Sequence, residues 1–358
     1  MSDAYKDQLA RRPILLAALA SLTAGACGDE PSPPKDGATP LPPAEQVPPA
    51  EQSSAQMPKR QLGKTGVSVS AIGLGGSHIG QVKDEAEAKR IMHAAIERGV
   101  TFFDNCWDYN DGKSEEWMGN ALRDGFREKV FLMTKLDGRT KASAKAQLEQ
   151  SLKRLRTEMI DLVQIHEIIR MSDPARCFGE GGTMEALLEA KKEGKLRFVG
   201  FTGHKHPDIH LAMLDAADKA GFAFDAVQMP LNVMDAHYES FEKKVLPRLV
   251  EKQIGVLGMK SMGAGIILES KLVSPIECLH YALSLPTSVV ITGFDSMAVL
   301  EQGITAALSY KPLSTQARTA LLARTEKAAA DGAFEKFKTS EKFDGTTKNP
   351  KWLETAEV

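Results

Sequence analysis

The sequence predicts an α/β protein whose main body is a closed barrel of eight parallel strands. Three observations predict it. From Pro58 onward, short wholly apolar runs alternate with amphipathic stretches of helical period. Eight such pairs follow one another over roughly 250 residues, the size of a closed barrel. No GxGxxG stands between a strand and a helix, as an open dinucleotide-binding sheet would carry.

The segment "RQLGKTGVSVS" comes first, with Gly63 and Gly66 at turn positions, and reads as a hairpin capping one barrel end. The strand candidates are 68–75, 100–104, 130–134, 160–166, 197–202, 224–229, 254–259 and 288–292. Their continuous apolar character fits strands covered on both faces. Helices are expected between them, among them 85–98, 142–155, 184–193 and 211–220. The barrel is assigned to 58–312. Residues 313–358, which hold Phe334, Phe337, Phe343 and Trp352, are expected to form a helical or irregular cover over it.

The first 57 residues differ in kind. Arg11 and Arg12 precede an apolar run, and small residues lead to Cys27. That order describes an export signal over 1–27, with the paired arginines of a twin-arginine leader. Cys27 resembles a lipidation site, although Ala24 stands where such sites usually carry leucine. Residues 28–57 are rich in proline and polar residues and read as a flexible tether. The expected location is periplasmic or membrane-anchored through Cys27, with a cytoplasmic protein as the alternative. A net charge of −2 offers no nucleic-acid surface, and four scattered cysteines form neither a disulfide framework nor a zinc motif.

Chemistry in such barrels lies at the carboxyl ends of the strands. Asp104 closes the second strand, Lys135 follows the third and His166 the fourth, while Tyr109 lies on the loop after Asp104. A phenol with a pKa of about 10 is a poor acid at neutral pH. A nearby ammonium favours the phenolate, and a carboxylate holds that ammonium charged. With a histidine to orient a substrate oxygen, the set reads as a general acid for a carbonyl that receives a hydride.

The segments "LGKTGVSVSAIGLGG", "GVTFFDNCWDYNDGKSEEWMGNAL", "VFLMTKL", "IDLVQIH" and "EGKLRFVGFTGH" resemble, in order, motifs of the aldo-keto reductase family. The resemblance implies a TIM-type (β/α)8 barrel that reduces an aldehyde or ketone with NADPH, or alternatively NADH. It implies Tyr109 as the acid, Lys135 lowering its pKa, Asp104 anchoring Lys135 and His166 orienting the carbonyl. The cofactor positions it implies are Gly75, Thr202, Gly203, Gln228, Met259, Lys260, Ser261, Gly263, Gly293, Asp295, Ser296 and Gln302. Gly203 stands where the family usually has asparagine, Met259 replaces an aromatic that stacks on the nicotinamide, and Val299 occupies a common 2′-phosphate position. Trp107 and Tyr238 are wall candidates for the substrate pocket.

Two other readings remain. A non-catalytic sensor subunit would keep the cofactor loops. A metal-dependent hydrolase would use His204, His206 and His210, whose simpler reading is a set of surface histidines at a helix entry. No metal is assigned, and the oligomeric state and the substrate's identity are not legible.

Overall fold

The computed structural model describes residues 56–357, so the export signal and nearly all of the tether lie outside the described residues. Strands β1 (Lys59–Gln61) and β2 (Ser68–Ser70) form an antiparallel hairpin. The other strands are β3 (Ile72–Gly75), β4 (Phe102–Asp104), β5 (Phe131–Leu136), β6 (Ile160–Ile165), β7 (Leu196–Thr202), β8 (Ala226–Pro230), β9 (Gly255–Met259) and β10 (Val289–Gly293). They close in the order β10-β3-β4-β5-β6-β7-β8-β9, with every neighbour parallel.

One expected element divides. The run 68–75 supplies an arm of the hairpin and then a barrel strand. At the break the Ser70 hydroxyl donates to Ile72 O, and the Ser70 amide and oxygen bond Thr101. The chain thereby changes from antiparallel pairing with β1 to parallel pairing with β4.

Side chains on a strand alternate between faces, and the two faces differ here. Phe103, Leu132, Val163, Phe201, Val227 and Val256 pack outward against the helices. Phe102, Phe131, Met133, Leu162, Leu257 and Ile291 fill the interior, where Leu62 and Val69 of the hairpin join them. The hairpin is thus a plug for one end. Gly63 (φ +52°) permits its close seat, since a Cβ there would lie 2.4 Å from Gly255 N.

Continuing the interior rows by steps of two leads from Phe102 to Asp104, from Met133 to Lys135, from Leu162 to Gln164 and His166, and from Ala226 to Gln228. The core is apolar at the plugged end and polar at the carboxyl end. All these polar side chains are buried.

The C-terminal segment lies against loops at that carboxyl end. After the helix Thr315–Ala329, several short turns hold buried Phe337 and Trp352. The Glu167 carboxylate accepts from the Gly345 amide at 2.8 Å and the Thr346 amide and hydroxyl at 2.7 Å each. Gln147 donates to the carbonyls of Trp352 and Thr355. Among the described residues, no helix is long and apolar enough to cross a membrane.

Candidate active site

The four ionisable residues expected at the rim converge. The Lys135 ammonium pairs with Asp104 and donates to Asn105 O at 2.7 Å and to Tyr109 Oη at 3.1 Å. It also lies 4.5 Å from the centre of the Tyr109 ring. Gln228 Nε2 donates to the other Asp104 oxygen at 3.1 Å. A carboxylate ends β4 because a buried lysine on the neighbouring strand requires one. The Tyr109 and His166 rings stand nearly perpendicular, 5.9 Å apart.

The electrostatics correct one expectation. Burial first, then Asp104 and the nearby Cys106, Asp108 and Glu167, push the Tyr109 phenol well above its ordinary range. Lys135 does not reverse this, because its charge is already committed to Asp104. Tyr109 therefore keeps its proton throughout the neutral range, and the ammonium beside it is positioned to stabilise the phenolate once the proton leaves.

His166 has a second environment on its Nδ1 side. Asp137 Oδ1 lies 2.9 Å away, Cys106 Sγ 3.2 Å and Asp108 Oδ1 3.6 Å. Burial alone would lower the imidazole, but Asp137 and Asp108 outweigh it and raise it. Burial and the proximity of Asp137 push the Asp108 carboxyl up to about 7. The motif reading missed Asp137, Asp108, Cys106 and Glu167. For Cys106, Asp108 and Asp137 the signal is the step of two that extends Asp104 to 106 and 108, and Lys135 to 137; Glu167, next to His166, lies off that row.

The residues assigned to a cofactor occupy one arc of the rim. Gly75 and Gly293 are register partners on β3 and β10, and Thr202 and Gln228 on β7 and β8. Thr202 Oγ1 and Gln228 Oε1 are buried without a hydrogen-bond partner among the described residues. Such orphaned atoms suit the amide of a nicotinamide. Gly203 cannot carry the asparagine side chain usual in the family, since a Cβ there would lie 2.3 Å from Ile168 O. Met259 and Lys260 follow at the end of β9, Lys260 at φ +56°, with buried Ser261 and then Gly263 beyond. The Lys260 ammonium rests over the Phe337 and Phe343 rings of the cover, at 5.3 and 4.9 Å, and burial lowers it to about 8.

The remaining assignments fare unevenly. Ser296 caps the helix Met297–Ser309, its hydroxyl accepting from Val299 N at 3.3 Å, and Asp295 is exposed beside it. Gln302 is exposed one turn further along that helix. Val299 packs partly buried against the core. Trp107 is not a pocket wall: it is wholly buried, donates to Gln150 at 2.7 Å and meets the Trp352 ring edge-on. Tyr238 lies half-buried beside Gly332 of the cover.

The three histidines of "GHKHPDIH" do not converge on a metal. His204 bonds Asp344 at 3.0 Å, His206 caps the helix Pro207–Lys219 and pairs with Glu239, and buried His210 bonds Gln228 O at 3.3 Å. Burial lowers His210 to about 3, so it is a neutral core residue.

Comparison with known proteins agrees with this geometry. Residues 71–278 match the Aldo/keto reductase family. An oxidoreductase of Bacillus subtilis, YqkF, is 29% identical over 60% of this chain and 68% of its own length. The aldo-keto reductase YhdN of the same organism is 30% identical over 58% of this chain and 62% of its own. An aldo-keto reductase of Bacillus halodurans, solved in its holo form, superposes with a TM-score of 0.63 at 25% identity, covering 75% of this chain and 96% of that one. The barrel, the order of its strands and the family match agree: the chain belongs to the aldo/keto reductase family and is an oxidoreductase.

Proposed function

We propose that the protein reduces an aldehyde or ketone to the alcohol, with Tyr109 giving the proton. The observation that carries this is the buried chain Asp104–Lys135–Tyr109, which ends in a protonated phenol. A reduced nicotinamide bound on the arc of Thr202, Gln228 and Met259 would supply the hydride for the carbonyl carbon, and the developing alkoxide would lie at Tyr109. Tyr109 protonates that oxygen, and its phenolate is left 3.1 Å from the Lys135 ammonium. Asp104 holds that ammonium in place, and Gln228 holds Asp104. His166 presents Nε2 to the carbonyl oxygen, because Nδ1 faces Asp137, Cys106 and Asp108.

Thr202 and Gln228 would hold the carboxamide, Met259 would cover the ring, and Lys260 is the cation for the phosphates. NADPH is the proposed nucleotide. Since Val299 leaves the 2′-phosphate without the usual partner, NADH should also serve. The polar partners of Asp104, Tyr109 and Lys135 are those of a reaction centre, which favours an enzyme over a sensor subunit. Oxidation of NADPH and NADH against a panel of aldehydes and ketones tests the reading. Turnover of at least one carbonyl supports it, and tight cofactor binding with no turnover across the panel would move the protein to the sensor class.

We also propose export. Arg11–Arg12 and the apolar run after them support a twin-arginine route, which carries folded, cofactor-loaded proteins, and Cys27 supports a lipid anchor. Fractionation of cells that make the full chain and its Arg11→Lys, Arg12→Lys variant tests this. Equal cytoplasmic retention of both would refute it.

A further inference from the structure

We propose that Cys106, Asp108, Asp137 and His166 form a site for a divalent metal ion of the zinc and cobalt class, directly behind the catalytic imidazole. One donor atom from each residue lies within 4.8 Å of all the others. The spacings around His166 Nδ1 are 2.9 Å to Asp137, 3.2 Å to Cys106 and 3.6 Å to Asp108. Metal bonds of ~2.0–2.3 Å give a tetrahedron whose edges are ~3.3–3.8 Å. Four donors are therefore within a small side-chain adjustment of that figure. Nitrogen, thiolate and two carboxylate oxygens form a mixed donor set that suits a borderline ion rather than calcium or magnesium.

Independent evidence is in the unspent bonding capacity. Asp108 Oδ1 and Asp137 Oδ2 are buried with no hydrogen-bond partner among the described residues, and the Asp137 side chain is wholly enclosed. Two carboxylates face one imidazole, and no lysine or arginine among the described residues pairs with either. Lys135 is held by Asp104, and Arg139 by Asp173. Burying two carboxylates against a single imidazole is costly, and a divalent ion relieves it.

The surroundings hold the donors in place. Buried Arg139 donates to the carbonyls of Asp137 at 2.7 Å, His166 at 2.6 Å and Glu167 at 2.9 Å. One guanidinium thus ties together two of the three loops that carry the donors, those of Asp137 and His166, as groups around a metal's ligands commonly do. Binding would displace the thiol proton of Cys106 and place the imidazole proton on Nε2. That tautomer donates to a carbonyl oxygen. This last consequence rests on the proposed reductase activity, whereas the site itself does not.

The test uses the folded full-length protein, stripped with a chelator, dialysed against Co²⁺ or Zn²⁺ and assayed for bound metal without cofactor or carbonyl. The expected result is about one ion per chain, with a thiolate-to-cobalt charge-transfer band in the Co²⁺ form. Cys106→Ser should remove the band, and Asp108→Asn and Asp137→Asn should weaken binding by ~10-fold or more. Circular dichroism checks that each variant is folded. Asp108→Asn lies nearest the rim, so it serves if Cys106→Ser does not fold. Failure of the wild type to retain metal overturns the proposal, as does binding with an unchanged spectrum in Cys106→Ser or unchanged affinity in Asp108→Asn. None of these outcomes bears on carbonyl reduction, which is measured separately.

Discussion

Replacing Asp104 with asparagine keeps the shape of the side chain and removes its charge. The Asp104 and Lys135 side chains are 5% and 1% exposed, so water cannot take over as partner. Removing one member of a buried ion pair costs ~3–5 kcal/mol. Lys135 would retain Asn105 O at 2.7 Å and the Tyr109 oxygen at 3.1 Å, which places the variant at the lower end, ~3 kcal/mol. For a domain of this size that is a fall in Tm of about 5 °C. Thermal unfolding followed by circular dichroism measures it. Lys135→Met should also destabilise, by stranding Asp104. The double variant, with neither charge, should recover at least ~1 kcal/mol relative to the sum of the singles. If Asp104→Asn lies within ~0.5 kcal/mol of wild type, or the two changes simply add, the pair does not serve as mutual charge compensation.

Three further outcomes follow from the same geometry. Glu167→Gln weakens bonds to the Gly345 and Thr346 amides and the Thr346 hydroxyl. It should cost ~1.5–3 kcal/mol and speed proteolysis of the C-terminal cover, and an unchanged cleavage rate would contradict the clamp. The Lys260 ammonium, lowered to about 8 by burial, loses its proton as pH rises through that value. Affinity for NADPH should therefore fall on the alkaline side, while Lys260→Arg, which stays charged, should flatten the profile; parallel profiles would remove Lys260 from the phosphate site. Trp107→Ala should destabilise by ~3–5 kcal/mol as a core truncation, since Trp107 contacts Gln150 and Trp352 rather than substrate. A loss confined to KM would contradict this.

How far the sequence discloses this structure depends on the separation of the partners. Strand periodicity is local, so the barrel and the row Asp104, Lys135 and His166 are legible from spacing alone. The same rule of two extends to Cys106, Asp108 and Asp137, but no familiar motif draws attention to them. The tie between Glu167 and Thr346 joins residues 179 apart, and nothing local marks it. Trp107 misleads for a related reason: its position beside the reaction centre suggests a pocket wall, whereas the distant Trp352 turns it into core. The direction of the Tyr109 shift is likewise illegible, because it depends first on how deeply the fold buries the phenol and then on Asp104.

The proposed reduction turns on proton donation by Tyr109. The most direct measurement is single-turnover oxidation of NADPH by wild type and Tyr109→Phe with one good aldehyde, together with the cofactor Kd of each. The expected result is an unchanged Kd and a hydride-transfer rate lower by ~10²-fold or more. A rate near that of wild type, with cofactor still bound, would contradict it.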